Sequence, residues 1–145
     1  MKLKPVNDQV VVIMGASKGI GRATAKRFAK RGAKVLVAAR SQKGIESLVE
    51  EISRDDPSTD TTKRSKNVIG MVCDVSSTDQ IASVAQKAVD EWGRIDTWVQ
   101  VAAIVVLGNV EDTTEEEFSK LMDVNYMGQI RAVKVALPYL KQKGG

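Results

Sequence analysis

Apolar positions along the chain alternate between two patterns. Four short runs, "QVVVIM" (9–14), "KVLVAA" (34–39), "NVIGMVC" (67–73) and "TWVQVAAIVV" (97–106), are rich in valine and nearly continuous. Such runs suit strands covered on both faces, as in a parallel sheet. Between them apolar residues recur every three or four positions, the spacing of a helix with one buried side. Ile45, Leu48, Val49 and Ile52 form one stripe; Ile81, Val84, Ala85, Ala88 and Trp92 form another, after the cap candidates Ser76 and Ser77. Thr113 and Glu116 predict a capping box for a long C-terminal helical region carrying Phe118, Leu121, Met122, Ala132, Val133, Ala136 and Leu140. Gly128 and Pro138 predict a bend or break in it.

Strand and helix therefore alternate as βαβαβαβ. Right-handed crossovers then favour an α/β fold with an open, doubly wound parallel sheet in the spatial order 3-2-1-4. In that arrangement a ligand crevice lies between strands 1 and 4, at their carboxyl ends. Residues 1–145 read as a single domain, with 54–67, "RDDPSTDTTKRSKN", as a flexible loop whose Lys63, Arg64 and Lys66 are generic solvated charge.

Composition narrows the chemistry. With 43% hydrophobic and 28% charged residues the chain reads as globular, and no apolar run approaches the roughly 20 residues of a membrane span. The opening "MKLKPVNDQ" has no apolar signal region, so a cytoplasmic setting without a membrane partner is expected. A net charge of +4 is spread along helices and accompanied by only 4% aromatics, which argues against nucleic acid. Histidine is absent, which excludes histidine triads and histidine metal ligands, and no metal is expected. The single cysteine, Cys73, lies in a strand and reads as core.

The strongest local signal is "GASKGIG", where the first strand hands over to a helix. Gly15 lets the chain leave the strand sharply, and Gly19 and Gly21 remove side chains where the helix begins. Together with Ser17, Lys18 and Ile20 they form a turn that offers unpaired amides and partial positive charge to a phosphate. No Gly-Lys-Ser/Thr follows, so the turn is not a P-loop. A pyrophosphate is the natural guest.

The turn resembles the TGxxxGxG fingerprint of the short-chain dehydrogenase/reductase family, with Met14 where the family has threonine. Further segments match in order. "VAARS" places Arg40 and Ser41 where the family selects its cofactor; an arginine there, with Lys18 nearby, implies NADP(H) rather than NAD(H). "CDV" resembles the adenine-binding segment, which implies that the Asp74 side chain and the Val75 backbone contact adenine. "VNYMG" resembles the segment of the catalytic asparagine, here Asn125, whose place on the stripe of Phe118, Leu121 and Met122 turns its amide toward apolar packing, where it needs partners. On residue chemistry alone Arg40 could also be a solvated charge, Asp74 a helix cap and Asn125 a buried structural amide.

The fourth strand departs from the family. Gln100, Val101, Ala102 and Ala103 stand where Asn-Asn-Ala-Gly is usual, although Ala102 can still pass close to a cofactor. The family's serine, tyrosine and lysine, which orient and protonate a carbonyl oxygen, belong to a fifth strand and its helix, before which this sequence stops. Tyr139 and Lys143 have the family's Tyr-x-x-x-Lys spacing but lie on the helix that carries Asn125, and so are a decoy.

The resemblance implies a Rossmann-type NAD(P)-binding domain without the later strands. It further implies an NADP(H)-dependent oxidoreductase acting on a small carbonyl or alcohol by hydride transfer, with a non-catalytic dinucleotide-binding or interaction module as the alternative. An exposed fourth strand predicts that the chain alone is unstable, forms a homo-oligomer, or lacks a C-terminal half.

Overall fold

The computed structural model describes residues 4–55 and 67–142. Its strands are β1 (Val10–Met14), β2 (Lys34–Ala39), β3 (Val68–Val72) and β4 (Thr97–Gln100). Its helices are α1 (Gly19–Lys30), α2 (Gln42–Asp55), α3 (Thr78–Trp92), α4 (Glu115–Met122) and α5 (Gly128–Gln142), with a π-helical turn, Asp123–Met127, between the last two. The sheet is wholly parallel in the order β3-β2-β1-β4. The expected α/β, doubly wound arrangement is the one observed.

The alternation of side chains along the central strands splits the core into two layers. Val11, Ile13, Val35 and Val37 pack with Ile45, Leu48 and Ile52 of α2 on one face of the sheet. Val12, Met14, Leu36 and Ala38 pack with Ile81, Val84, Ala85 and Ala88 of α3 on the other. All of β1 is buried, which explains why its sequence is continuous rather than alternating. Beside β2, Gly70 of β3 lets α2 sit close: a Cβ there would stand 2.3 Å from Ile45 Cγ2. Cys73 is buried in the second layer as expected, and burial, followed by the neighbouring Asp74 charge, pushes its thiol up to about 11. No helix among the described residues is long and apolar enough to cross a membrane.

Several expectations change in detail. The fourth strand ends at Gln100 rather than 106. Val101 N–H still reaches Met14 O at 3.1 Å, but β1 then turns away at Gly15, and a strand without a neighbour has no ladder to continue. Helix α2 runs through Arg54 and Asp55, two residues into the expected loop; residues 56–66 of that loop, with Lys63, Arg64 and Lys66, lie outside the described residues.

The capping box is shifted by one residue. Thr114 Oγ1 accepts from Glu117 N at 3.2 Å and Glu117 Oε2 accepts from Thr114 N at 2.9 Å. Thr113 instead donates its hydroxyl to Asn109 O, closing the preceding 3-10 turn. The run Thr-Thr-Glu-Glu-Glu allows both registers, and the turn chooses between them.

The C-terminal stripe also changes. The π turn adds a residue to the helical repeat just before Gly128 and rotates everything after it. Val135, Tyr139 and Leu140 pack against the second core layer and Ala132 and Ala136 are buried, whereas Val133 is exposed, as are Phe118 and Met122 on α4. Gly128 follows the distortion, and α5 continues through Pro138 to Gln142.

Candidate functional site

The crevice at the carboxyl ends of β1 and β4 is built from backbone contacts that only glycine permits. Gly15 leaves β1 with φ +84°, and its N–H and that of Ala16 both donate to Ala38 O, at 2.7 and 3.1 Å. A Cβ on Gly15 would lie 2.6 Å from the Cα and N of Ala102. A Cβ on Gly21 would lie 2.3 Å from Gly15 O. Thus Gly15, Gly21 and Ala102 form one close-packed backbone knot.

Gly19 differs from both. Its φ is +57°, but a Cβ there would meet nothing within 4 Å. It opens α1, whose N-cap residue Lys18 makes no side-chain capping bond and whose first turn contains no acidic residue. By contrast α3 is capped by Ser77, which accepts from Gln80 N, and α4 by Thr114. Ser77, rather than Ser76, is the cap, because Ser76 is taken up by Asp74. The uncapped α1 terminus leaves orphan amides and the positive end of the helix dipole facing open space beside Gly19. Ile20, 77% exposed, stands at that mouth.

The turn leans on the start of α2. A Cβ at Gly44 would stand 2.9 Å from Ser17 Cβ and 3.1 Å from Ser41 Oγ, so Ser17 and Ser41 flank Gly44. Ser41 Oγ accepts from Gly44 N at 3.1 Å. The residues beside these serines, Lys18 and Arg40, are both exposed, and neither has a side-chain hydrogen bond or ion pair among the described residues. Arg22, which belongs to no sequence motif, holds this junction: its guanidinium reaches Ser17 O, Gly44 O, Ser47 and Glu51. No local sequence pattern signals that role, since its partners are up to 29 positions away.

After β3, Asp74 Oδ1 accepts from Ser76 N and Oγ, at 2.9 and 2.8 Å, while its own N–H donates to Gln80 Oε1. The bond from Ser76 N–H is the main cause that holds the Asp74 carboxyl below its ordinary range, with the cations Lys120 and Arg40 contributing. Asp74 is therefore charged and shares a field with Arg40. Val75 is buried, and Gly128 makes room for it: a Cβ on Gly128 would lie 3.0 Å from Val75 Cγ2.

Asn125 sits in the π turn and does not join the apolar stripe. Its Oδ1 accepts from Ile104 N at 2.9 Å and its Nδ2 donates to Ile104 O at 2.8 Å. One amide thus replaces the strand partner that 101–107 lacks and fixes this segment two residues past Ala102. Gln100, in contrast, accepts from Trp98 Nε1 at 3.4 Å, while its buried Nε2 has no partner among the described residues. Tyr139 packs against the second core layer from α5; Lys143 lies outside the described residues.

Residues 9–145 match the family model of the short chain dehydrogenase. An uncharacterized oxidoreductase of Bacillus subtilis is 33% identical over 144 residues, covering 99% of this chain and 38% of its own length. The 11-beta-hydroxysteroid dehydrogenase A of Sesamum indicum is 35% identical over 143 residues, covering 97% of this chain and 38% of its own. Among solved structures, an alcohol dehydrogenase from the archaeon Thermococcus sibiricus, complexed with 5-hydroxy-NADP, superposes with a TM-score of 0.82 at 31% identity. That match covers 94% of this chain and 55% of the other. The chain spans between 38% and 55% of the length of the curated relatives it matches. With the parallel 3-2-1-4 sheet and the glycine knot, these matches make the chain a member of the short-chain dehydrogenase family.

Proposed function

We propose that this chain is the NADP(H)-binding portion of an oxidoreductase that interconverts a small carbonyl compound and its alcohol. The carrying observation is the uncapped N-terminus of α1, where Gly19 holds a positive φ in front of open space. The left-handed backbone favours glycine there, and because a side chain would meet no protein atom the space is left clear for a close-approaching pyrophosphate. The residues present fit the dinucleotide: Gly15, Ser17, Lys18, Gly19, Ile20 and Gly21 around the pyrophosphate, Arg40 and Ser41 beside the ribose, Asp74 and Val75 at the adenine, and Ala102 along the path toward the nicotinamide. When bound, the reduced nicotinamide dinucleotide would supply hydride to the carbonyl carbon, and its oxidised form would accept hydride from the alcohol.

Two features support NADP(H) over NAD(H). Arg40 and Lys18 are exposed cations without ion-pair partners among the described residues, and they emerge beside the contact of Ser17 and Ser41 with Gly44. An added 2′-phosphate is the anion that such a pair attracts, and arginine can bind it bidentately. The archaeal neighbour in complex with 5-hydroxy-NADP is consistent with this reading. Asn125 holds 101–107 in place beside the cofactor path.

NADPH should raise the melting temperature more than NADH, with about 2.7 kcal/mol of stabilisation at a hundredfold excess over Kd. Arg40→Asp should reverse that order; equal shifts by both cofactors in the starting protein would overturn the preference. A second reading, a dinucleotide-binding module without chemistry, draws on Gln100, whose orphaned amide replaces a family asparagine. Hydride transfer from NADPH to a panel of aldehydes and ketones, absent despite tight NADPH binding, would favour the module.

A further inference from the structure

Arg22 commits all its donors within the protein. Nε and Nη2 donate to Glu51 Oε2 at 3.1 and 2.6 Å, Nη2 donates to Ser47 Oγ at 3.2 Å, and Nη1 donates to the carbonyls of Ser17 and Gly44, both at 3.3 Å. A guanidinium has five N–H groups, and these five bonds use them all. Arg22 therefore has no donor left for a phosphate, although it lies in the first turn of the helix that opens on the crevice. Lys26 pairs with the other oxygen of Glu51. Lys26 first and then Arg22 hold that carboxyl below its ordinary range, so the acceptor is an anion.

The two segments that Arg22 joins, the glycine turn and α2, adjoin the proposed cofactor-selecting cations. The Ser17 carbonyl is the peptide group immediately before Lys18. Gly44 packs against Ser17 and Ser41, and Ser41 follows Arg40. Ser47 and Glu51 lie further along α2 and anchor the guanidinium. No other described side chain donates to Ser17 O or Gly44 O.

We propose that Arg22 is a positioning residue for cofactor selection: it clamps the glycine turn to the start of α2 and so sets the separation between Lys18 and Arg40. The proposal rests on the reading of this crevice as an NADP(H) site. Without the clamp the two cations lose their fixed spacing, and the loss falls on the 2′-phosphate more than on the pyrophosphate, which the backbone amides of the uncapped α1 N-terminus would hold. A lysine could still pair with Glu51, but its ammonium lacks the planar fork that reaches two carbonyls at once.

The test combines calorimetric titration of NADPH and NADH with amide hydrogen exchange of the cofactor-free protein, in wild type, Arg22→Ala, Arg22→Lys and Glu51→Gln. Arg22→Ala should raise the NADPH Kd roughly tenfold and the NADH Kd less than about threefold, a difference in keeping with lost charge-assisted bonds. It should also speed exchange of the hydrogen-bonded Ala16 and Ile45 amides, one on each side of the clamp, before any cofactor is added. Arg22→Lys should fall between, and Glu51→Gln, which keeps the fork but frees its anchor, should move the NADPH to NADH ratio the same way by a smaller factor. Equal weakening of both cofactors, or unchanged exchange at Ala16 and Ile45, overturns the clamp. If Arg22→Ala does not fold, the Arg22→Lys and Glu51→Gln ratios decide. A wild-type protein without NADPH preference overturns the proposal through the underlying reading; a wild-type preference that survives in the variants overturns it through Arg22 alone.

Discussion

The two chain segments that flank the crevice, from β1 into α1 and from β4 into α4, are built by opposite means. In the first, glycine backbones touch, the helix terminus is left uncapped, and Arg22 holds the turn from outside. In the second, side chains consume the local backbone groups: Asn125 takes both groups of Ile104, Thr113 closes a turn, and Thr114 with Glu117 caps α4. A segment that satisfies itself holds its shape. One that leaves amides unsatisfied beside open space is shaped for a ligand.

Substitutions can break this contrast. The largest effect is expected at Gly21, where a methyl would meet the Gly15 carbonyl at 2.3 Å with only backbone to move. Gly21→Ala should cost about 3 kcal/mol in urea unfolding, at the upper end of ordinary overpacking. On the other side, Asn125→Ala removes two hydrogen bonds from a segment with no strand partner, and about 2 kcal/mol should be lost. Faster hydrogen exchange confined to 103–105 would show that the loss is local.

Gly19→Ala sharpens the contrast, because its cost in folding should be small and its cost in binding large. With open space around the new methyl, only the left-handed backbone is penalised, by about 1 kcal/mol. NADPH affinity should nevertheless fall at least roughly tenfold, or 1.4 kcal/mol, because the methyl stands where the pyrophosphate approaches. A variant that binds normally would remove the ligand explanation for this glycine.

The smallest expected effect lies at the opposite end of the sheet. Burial alone would raise the Asp96 carboxyl, but Lys4, the Val10 N–H and Arg94 outweigh it and hold it below its ordinary range. A carboxyl lowered in the folded state contributes stability that is present above the unfolded pKa and lost as pH falls through the folded one. Urea midpoints should therefore be steady at pH 6 and fall below about pH 4, and Asp96→Asn should flatten that fall. NADPH binding at pH 6 should be the same in Asp96→Asn and the wild type, since none of its partners borders the crevice.

Which of these features can be read in the sequence follows from the range of the interactions. The spans of β1 and β2, the stripes Ile45-Leu48-Ile52 and Ile81-Val84-Ala88, and the glycine turn were legible because apolar period and turn chemistry are local. The end of β4 was not, because "VQVAAIVV" is apolar throughout and only the departure of β1 at Gly15 removes its ladder. The stripe through Val133 failed because the π turn changes the helical phase, and no single residue in "DVNYM" forces that change. The need of the Asn125 amide for partners is legible in the sequence, but Ile104, 21 positions away, is brought to it only by the fold. The partners of Arg22 on α2, up to 29 positions away, are equally invisible in the sequence.

The central claim, that the β1-to-α1 segment binds a phosphate-bearing dinucleotide through its own backbone, is tested most directly by following the protein's amide NMR signals during an NADPH titration. The Gly19, Ile20 and Gly21 amides should shift most and gain exchange protection, with Lys18 and Arg40 shifting further for NADPH than for NADH. Binding that leaves those three amides unmoved, or perturbs chiefly the segment from β4 to α4, would contradict it.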